Sequence, residues 1–203
     1  MTELLTGLDV SRETLVDLKA YEALVQKWSP KINLVSKSAL NDLWARHIVD
    51  SAQVWPLLPS TKTYVDLGSG GGFPSIVIAI FLKHLNTDAS LTMIESDVRK
   101  TVFLQTVIRE LELPATTLPM RIEKAPSQQA SVLTARALAS CDKLFGFAHQ
   151  HLVPDGTAFF LKGQKAEDEL AEARQNWDFS VKYHPSKTDT NAVILEIGEL
   201  HRV

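Results

Sequence analysis

Thr63-Tyr-Val-Asp-Leu-Gly-Ser-Gly-Gly-Gly-Phe-Pro-Ser-Ile76 is the stretch from which the rest of the chain is read. Tyr64, Val65 and Leu67 predict a short buried strand. Four glycines in five positions, Gly68 to Gly72, follow where the backbone must turn sharply and let a ligand approach without a Cβ in the way. Pro74 then predicts a helix start, because the first helical turn has no partner for the amide that proline lacks. That helix N-terminus offers free amides and a partial positive charge. A strand, a glycine loop and a helix in this order open a nucleotide-binding α/β unit.

The glycine spacing bears on which nucleotide. A dinucleotide fingerprint is G-x-G-x-x-G/A. Counted from Gly68 the last place is Phe73, and from Gly70 it is Ser75, so both frames miss the packing glycine. Asp66 instead stands two before the first glycine, giving Asp66-x-Gly68-x-Gly70-x-Gly72. This resembles the first motif of the class I S-adenosylmethionine (SAM) methyltransferases. SAM has no pyrophosphate but carries an ammonium and a carboxylate, and an acidic residue beside loop amides suits that zwitterion. A dinucleotide site and a plain glycine-rich turn are the alternatives.

At 203 residues, 45% hydrophobic and 22% charged, the chain predicts one domain with material for a core. It divides into a helical preface (1–60) and an α/β body (61–203). The single Cys141 rules out a disulfide framework and a multi-cysteine zinc site. No apolar run approaches the roughly 20 residues of a membrane span. Glu3 and the lack of a basic flank argue against a secretory signal. The expectation is a cytoplasmic protein without metal, monomeric by default. Net charge −3 and a sequence pI near 6.1 are mild evidence against a nucleic-acid partner. Totals hide patches, though: Lys27, Lys31, Lys37 and Arg46 lie close in sequence, while Glu167 to Glu172 gather acid on one later helix.

In the preface, Ser11 to Trp28 predicts a helix ended by Pro30, and 38–55 a second with Leu40, Leu43, Trp44, His47, Ile48, Ser51 and Trp55 on one face. After residue 63, strands near 63–67, 91–95, 117–122, 131–135 and 157–161 alternate with helices near 74–84, 98–112, 138–151 and 165–175. Two final strands, near 179–184 and 192–198, have no helix between them. Alternation predicts a parallel sheet covered on both faces, with an antiparallel hairpin at one edge.

Three further places sit at carboxyl ends of strands, where open α/β sheets bind ligands. Glu95 ends strand two, and its two oxygens match two vicinal ribose hydroxyls. Arg121-Ile122-Glu123 closes strand three, with Ile122 set to face an adenine ring and Glu123 its polar edge. Arg136 closes strand four; it keeps its charge and calls for a partner such as Asp66, Glu123 or an RNA phosphate.

Together these residues resemble the bacterial 16S rRNA (guanine-N7)-methyltransferase G family (RsmG/GidB). The resemblance runs from Trp28 to Gly163, through Ile32-Asn33-Leu34, Arg46-His47-Ile-Val-Asp50-Ser51, Asp66 to Pro74, Glu95, Arg99-Lys100, Arg121 to Glu123, Thr134 to Ala137 and Lys162-Gly163. It implies a class I SAM methyltransferase Rossmann-like fold with a mostly parallel seven-stranded sheet. It further implies SAM contact by Gly68, Phe73, Ile122, Glu123 and Arg136, and methylation of a guanosine N7 in small-subunit rRNA. Two places depart from the family pattern: Ser75 replaces a glycine and Ser131 an acidic residue.

No catalytic base is assigned. Guanine N7 carries an in-plane lone pair and no proton, so positioning supplies most of the rate; Arg136 is a possible substrate contact. Neither an Asn-Pro-Pro-Tyr stretch nor a Pro-Cys nucleophile is present, and Cys141 reads as packing. Arg46 and Asp50, at i and i+4, read as a helix surface pair. Asn33, Arg46, His47, Lys100, Arg121 and Lys162 are the candidate RNA contacts, with His47 as a packing residue and the cations as ordinary surface charge the competing readings. A methyltransferase of small molecules, a dehydrogenase and a non-catalytic SAM-binding ribosome module are the rival functions.

Overall fold

The computed structural model describes residues 10–85 and 88–203. Glu3, on which the signal-peptide reading rests, lies outside them. Seven strands form one sheet in the order β3-β2-β1-β4-β5-β7-β6. They are β1 (Thr63–Leu67), β2 (Ser90–Ile94), β3 (Ala115–Leu118), β4 (Ala130–Arg136), β5 (Leu152–Lys162), β6 (Trp177–Pro185) and β7 (Val193–Arg202). β1 to β5 are parallel, and β7 enters antiparallel between β5 and β6. The order reverses between β1 and β4, which places a ligand crevice at their carboxyl ends.

Each face of the sheet is covered. α1 (Arg12–Ile32), α4 (Ser75–Leu85) and α5 (Val98–Glu110) pack on one side, and α6 (Cys141–His151) and α7 (Ala166–Ala173) on the other. α4 is apolar all round because the preface covers what would otherwise be its outer face, and all of Ser75 to Leu82 is buried. Among the described residues no helix is long and apolar enough to cross a membrane.

Four expectations are corrected. α1 does not stop at Pro30 but runs on to Ile32, where Asn33 takes the left-handed conformation (φ 54°) and donates its amide to Ser29. Proline there removes one helical donor, yet the final turn survives because a left-handed cap closes it. The second preface helix is broken into α2 (Lys37–Leu40), a π-helical turn Trp44–Val49 and α3 (Asp50–Ala52). Strand three ends at Leu118, so Ile122 and Glu123 lie on a separate 3₁₀ turn, Ile122–Lys124. Pro74 precedes α4 across a cis Phe73–Pro74 bond and sits in the loop.

Candidate active site

Strand alternation sets the site. Tyr64 and Val132 face the preface side of the sheet, whereas Val65, Leu67, Leu133 and Ala135 face α6. With a period of two, Asp66, Thr134 and Arg136 therefore point to the preface side. Thr134 Oγ1 donates to Asp66 Oδ1 at 2.6 Å, while Asp66 Oδ2 is buried with no hydrogen-bond partner among the described residues. Burial raises the Asp66 carboxyl to about 6.

The glycine loop is held from below. Gly68 and Ser69 donate to the carbonyl of Ile94, Gly72 to that of Ser69, and Gly70 to Glu95 Oε2 at 2.8 Å. Four loop amides are thus engaged, contrary to the expectation that they stand free. Glu95 occupies the place where loop amides would meet a phosphate, an arrangement that disfavours a pyrophosphate. Its Oε1 accepts from the Asp97 amide at 2.7 Å. Each carboxylate oxygen keeps one unused lone pair. Gly68 and Gly70 have φ of 64° and 56°, and beyond Gly70 a Cβ would meet only Gly68 O at 3.7 Å. That open space belongs to a cavity of about 310 Å³ lined by Gly68, Gly70, Glu95, Ile122, Glu123 and Ala137. Its size stands at the low end of the roughly 300–1,000 Å³ usual for ligand clefts. Lys100 and Arg121 are on its rim.

Phe73 and Gly72 do not line this cavity. Phe73 is buried between Tyr21 and His47, with ring centroids 5.2 and 4.8 Å away, and Tyr21 donates its hydroxyl to Gly71 O at 2.6 Å. Asp66 also stands behind the lining. Asn33 lines neither cavity, since it is spent as the cap of α1.

A larger cleft, about 1,090 Å³, opens on the other side of Ala137 between the preface, the ends of β4 and β5, and the loop joining β6 to β7. Arg136 is its centre. Neither Asp66 nor Glu123 pairs with it; the partner is Asp50, whose Oδ2 lies 3.1 Å from Nη2. Nη2 also donates to Arg46 O at 2.9 Å, and Nη1 to His47 Nδ1 at 2.7 Å. Arg46 accordingly pairs not with Asp50 but with Asp42, at 3.7 Å. Asp50 Oδ1 accepts from Gln53 and from Thr188, and Gln53 bonds the Lys187 amide, so the preface clasps the β6–β7 loop. Lys162 lines the cleft, but its ammonium faces Glu169 and Ala139 O.

Arginine only donates, so His47 Nδ1 accepts and the proton sits on Nε2, which is buried and has no partner among the described residues. Burial, with Arg136 and Arg46 nearby, lowers this imidazole to about 4. His151 on α6 is also held neutral by burial; it contacts Ile122 O at 3.1 Å and so props the turn on the cavity floor. Ser131 is remote from all this. It sits at the opposite edge of the sheet, where its amide and hydroxyl meet Thr63 Oγ1, so the missing acid takes nothing from the site.

These groups give acid stability a divided sign. A His47 held at about 4, against 6.5 when unfolded, contributes stability that is lost as pH falls from 6.5 through 4, and His151 acts in the same sense. Asp66, raised from 3.8 to about 6, contributes stability present at low pH and lost as pH rises through 6. Between pH 4 and 6 the two oppose. Asp66→Asn should steepen the acid loss of stability, and His47→Asn, which keeps an acceptor for Arg136, should flatten it, each by on the order of 2–3 kcal/mol across the window. Urea midpoints against pH measure this; parallel curves for the two variants would refute the assignment.

The fold and the cavity at the β1–β4 switch define a class I SAM-dependent methyltransferase. Solved structures share the fold: a SAM-dependent methyltransferase from Aquifex aeolicus superposes with a TM-score of 0.58 at 13% identity over 81% of this chain and 98% of its own. The CurJ carbon methyltransferase superposes with a TM-score of 0.61 at 14% identity over 98% of this chain and 69% of its own. Residues 14–193 match the family model GidB, described as rRNA small subunit methyltransferase G. Proteins named Ribosomal RNA small subunit methyltransferase G from Dinoroseobacter shibae and a Ruegeria species are 48% and 46% identical, over 92% and 97% of this chain and 96% of each relative. The chain belongs to the rRNA small subunit methyltransferase G family.

Proposed function

We propose that this protein transfers the methyl group of SAM to N7 of a guanosine in 16S rRNA of the small ribosomal subunit, in the cytoplasm. When bound, SAM supplies an electrophilic methyl group on a sulfonium. The spare lone pairs of Glu95 accept from its ribose hydroxyls, and Ile122 packs its adenine. Asp66, behind the lining, would act on its ammonium only through the glycine loop above it.

The observation that carries the N7 assignment is the state of the imidazole nearest the β4 end. His47 Nδ1 is occupied by Arg136 and its other nitrogen already holds a proton, so it cannot take one from a substrate. An acceptor that must lose a proton to react could not pass it to this imidazole. Guanine N7 loses none, and needs only to be held in line. The cleft charge agrees: Arg46, Arg136, Lys162 and Lys165 face Asp42, Asp50, Glu169 and Asp189. A balanced cleft suits a neutral base turned out of its stack, while Lys100 and Arg121 at the cofactor rim meet phosphate.

The test offers labelled SAM with small subunits lacking the modification, with naked 16S rRNA and with free guanosine. Label should enter the subunit or the rRNA and emerge as N7-methylguanosine on digestion. Label on guanosine alone would favour a small-molecule enzyme, and label at another atom would refute the N7 assignment.

A further inference from the structure

The two cavities share one wall, the segment 137–140 between β4 and α6. Ala137 lines both, and its backbone takes φ 51°, a left-handed conformation for a residue with a Cβ. Leu138 lies against the glycine loop, so closely that a Cβ on Gly68 would come within 2.6 Å of its Cδ1. Any movement of this segment therefore alters the passage between cofactor and substrate.

Its support comes from two charged side chains. Lys162, at the end of β5, donates to Ala139 O at 2.9 Å and forms an ion pair with Glu169 of α7. Glu169 Oε2 also accepts the Cys141 amide at 2.9 Å. Ser140, at the cap position of α6, makes no side-chain capping bond, so α6 receives its cap from another helix. The pair is largely shielded, with side chains 11% and 21% exposed. An ammonium has three donors, and two of those of Lys162 are engaged within the protein.

We propose that Lys162 and Glu169 form a positioning pair that fixes the 137–140 wall and with it the alignment for methyl transfer, and that Lys162 is not a phosphate contact. The proposal rests on the methyl-transfer reading above. The alternative, a phosphate-binding Lys162, makes the opposite prediction for one variant. If Glu169 merely competes with RNA for that ammonium, Glu169→Gln frees the ammonium and tightens RNA binding.

For a positioning pair, Glu169→Gln and Lys162→Met should each lower kcat by roughly 10- to 100-fold, since misplacement of about 1 Å costs that much. RNA affinity and its salt slope should stay as in the unaltered protein, and the double variant should lose little more than either single one. Lys162→Arg, which keeps the ion pair, should recover much of the rate. Tighter RNA binding by Glu169→Gln, or a salt slope reduced by about one in Lys162→Met, would overturn the proposal. Hydrogen exchange of the 137–141 amides, read without any substrate, tests the pair separately from the activity. Unchanged protection in both variants would overturn it even if methyl transfer stands, and loss of protection supports it even if the unaltered protein methylates another acceptor.

Discussion

Gly72→Ala should cost the protein about 3 kcal/mol of stability and leave little folded site to assay. Two effects add. Gly72 has φ 92°, and for a residue bearing a Cβ the left-handed side of the map costs roughly 1–2 kcal/mol. The new methyl would also lie 2.5 Å from Ile76 Cγ1 and 2.9 Å from the Tyr21 hydroxyl, in a region packed without gaps. Such overpacking costs roughly 1–3 kcal/mol. Relief by movement of Tyr21 would break its bond to Gly71 O and loosen α1 from the loop. Gly70→Ala is the matched comparison. It shares a positive φ but has open space before it, so stability should fall by only about 1 kcal/mol while SAM affinity falls more than tenfold. Urea unfolding and calorimetric titration with SAM separate the two. Equal stability losses would mean that the packing against Tyr21 and Ile76 has no role.

Arg136→Lys should abolish measurable methyl transfer, with kcat at least roughly 100-fold lower. The charge is kept, so the loss isolates geometry. A planar fork reaches Asp50, Arg46 O and His47 Nδ1 from fixed directions, and an ammonium on a flexible stem does not. His47 would then lose the donor that defines its tautomer. Arg136→Met goes further and strands Asp50, whose side chain is only 13% exposed; stability should drop by about 3 kcal/mol, the low end for a buried pair because water still reaches this one. Removing Asp50 as well should restore part of that stability and none of the rate. Normal turnover by Arg136→Lys would reduce the residue to a strut.

Local pattern revealed the frame of this protein, and long-range pairing decided its site. The glycine loop, the alternation of strand and helix, and the terminal hairpin follow from periodicity and from residues with restricted backbones, which act over a few positions. Glu95 could be placed because strand ends map to a sheet edge, whereas Ile122 and Glu123 reach the same cavity from a turn beyond β3 and not from the expected strand end. The partner of Arg136 could not, since Asp50 lies 86 positions earlier (136 − 50) and becomes a neighbour only when the preface docks. The reading of 38–55 as one helix fails because a π turn at Trp44–Val49 rotates the face that follows, and periodicity has no mark for it. Tyr21 was within reach: Leu18, Tyr21 and Val25 follow the same helical spacing as the apolar residues that were read, but a buried phenol aimed at a glycine loop is a tertiary fact. Lys162 shows the converse limit. A lysine near a strand end reads as a phosphate contact, whereas the facing helix supplies Glu169.

The two hollows of the molecule draw on different parts of the chain. Every wall of the smaller hollow comes from residues 68–147, whereas the larger needs residues 36–53 together with 186–194. The smaller hollow nevertheless leans on later sequence, because Lys162 and Glu169 brace its 137–140 wall, and the larger gains its last wall with the β6–β7 loop, latched by Gln53 and Asp50. A chain ending before β6 therefore keeps every lining residue of the smaller hollow and loses one side of the larger.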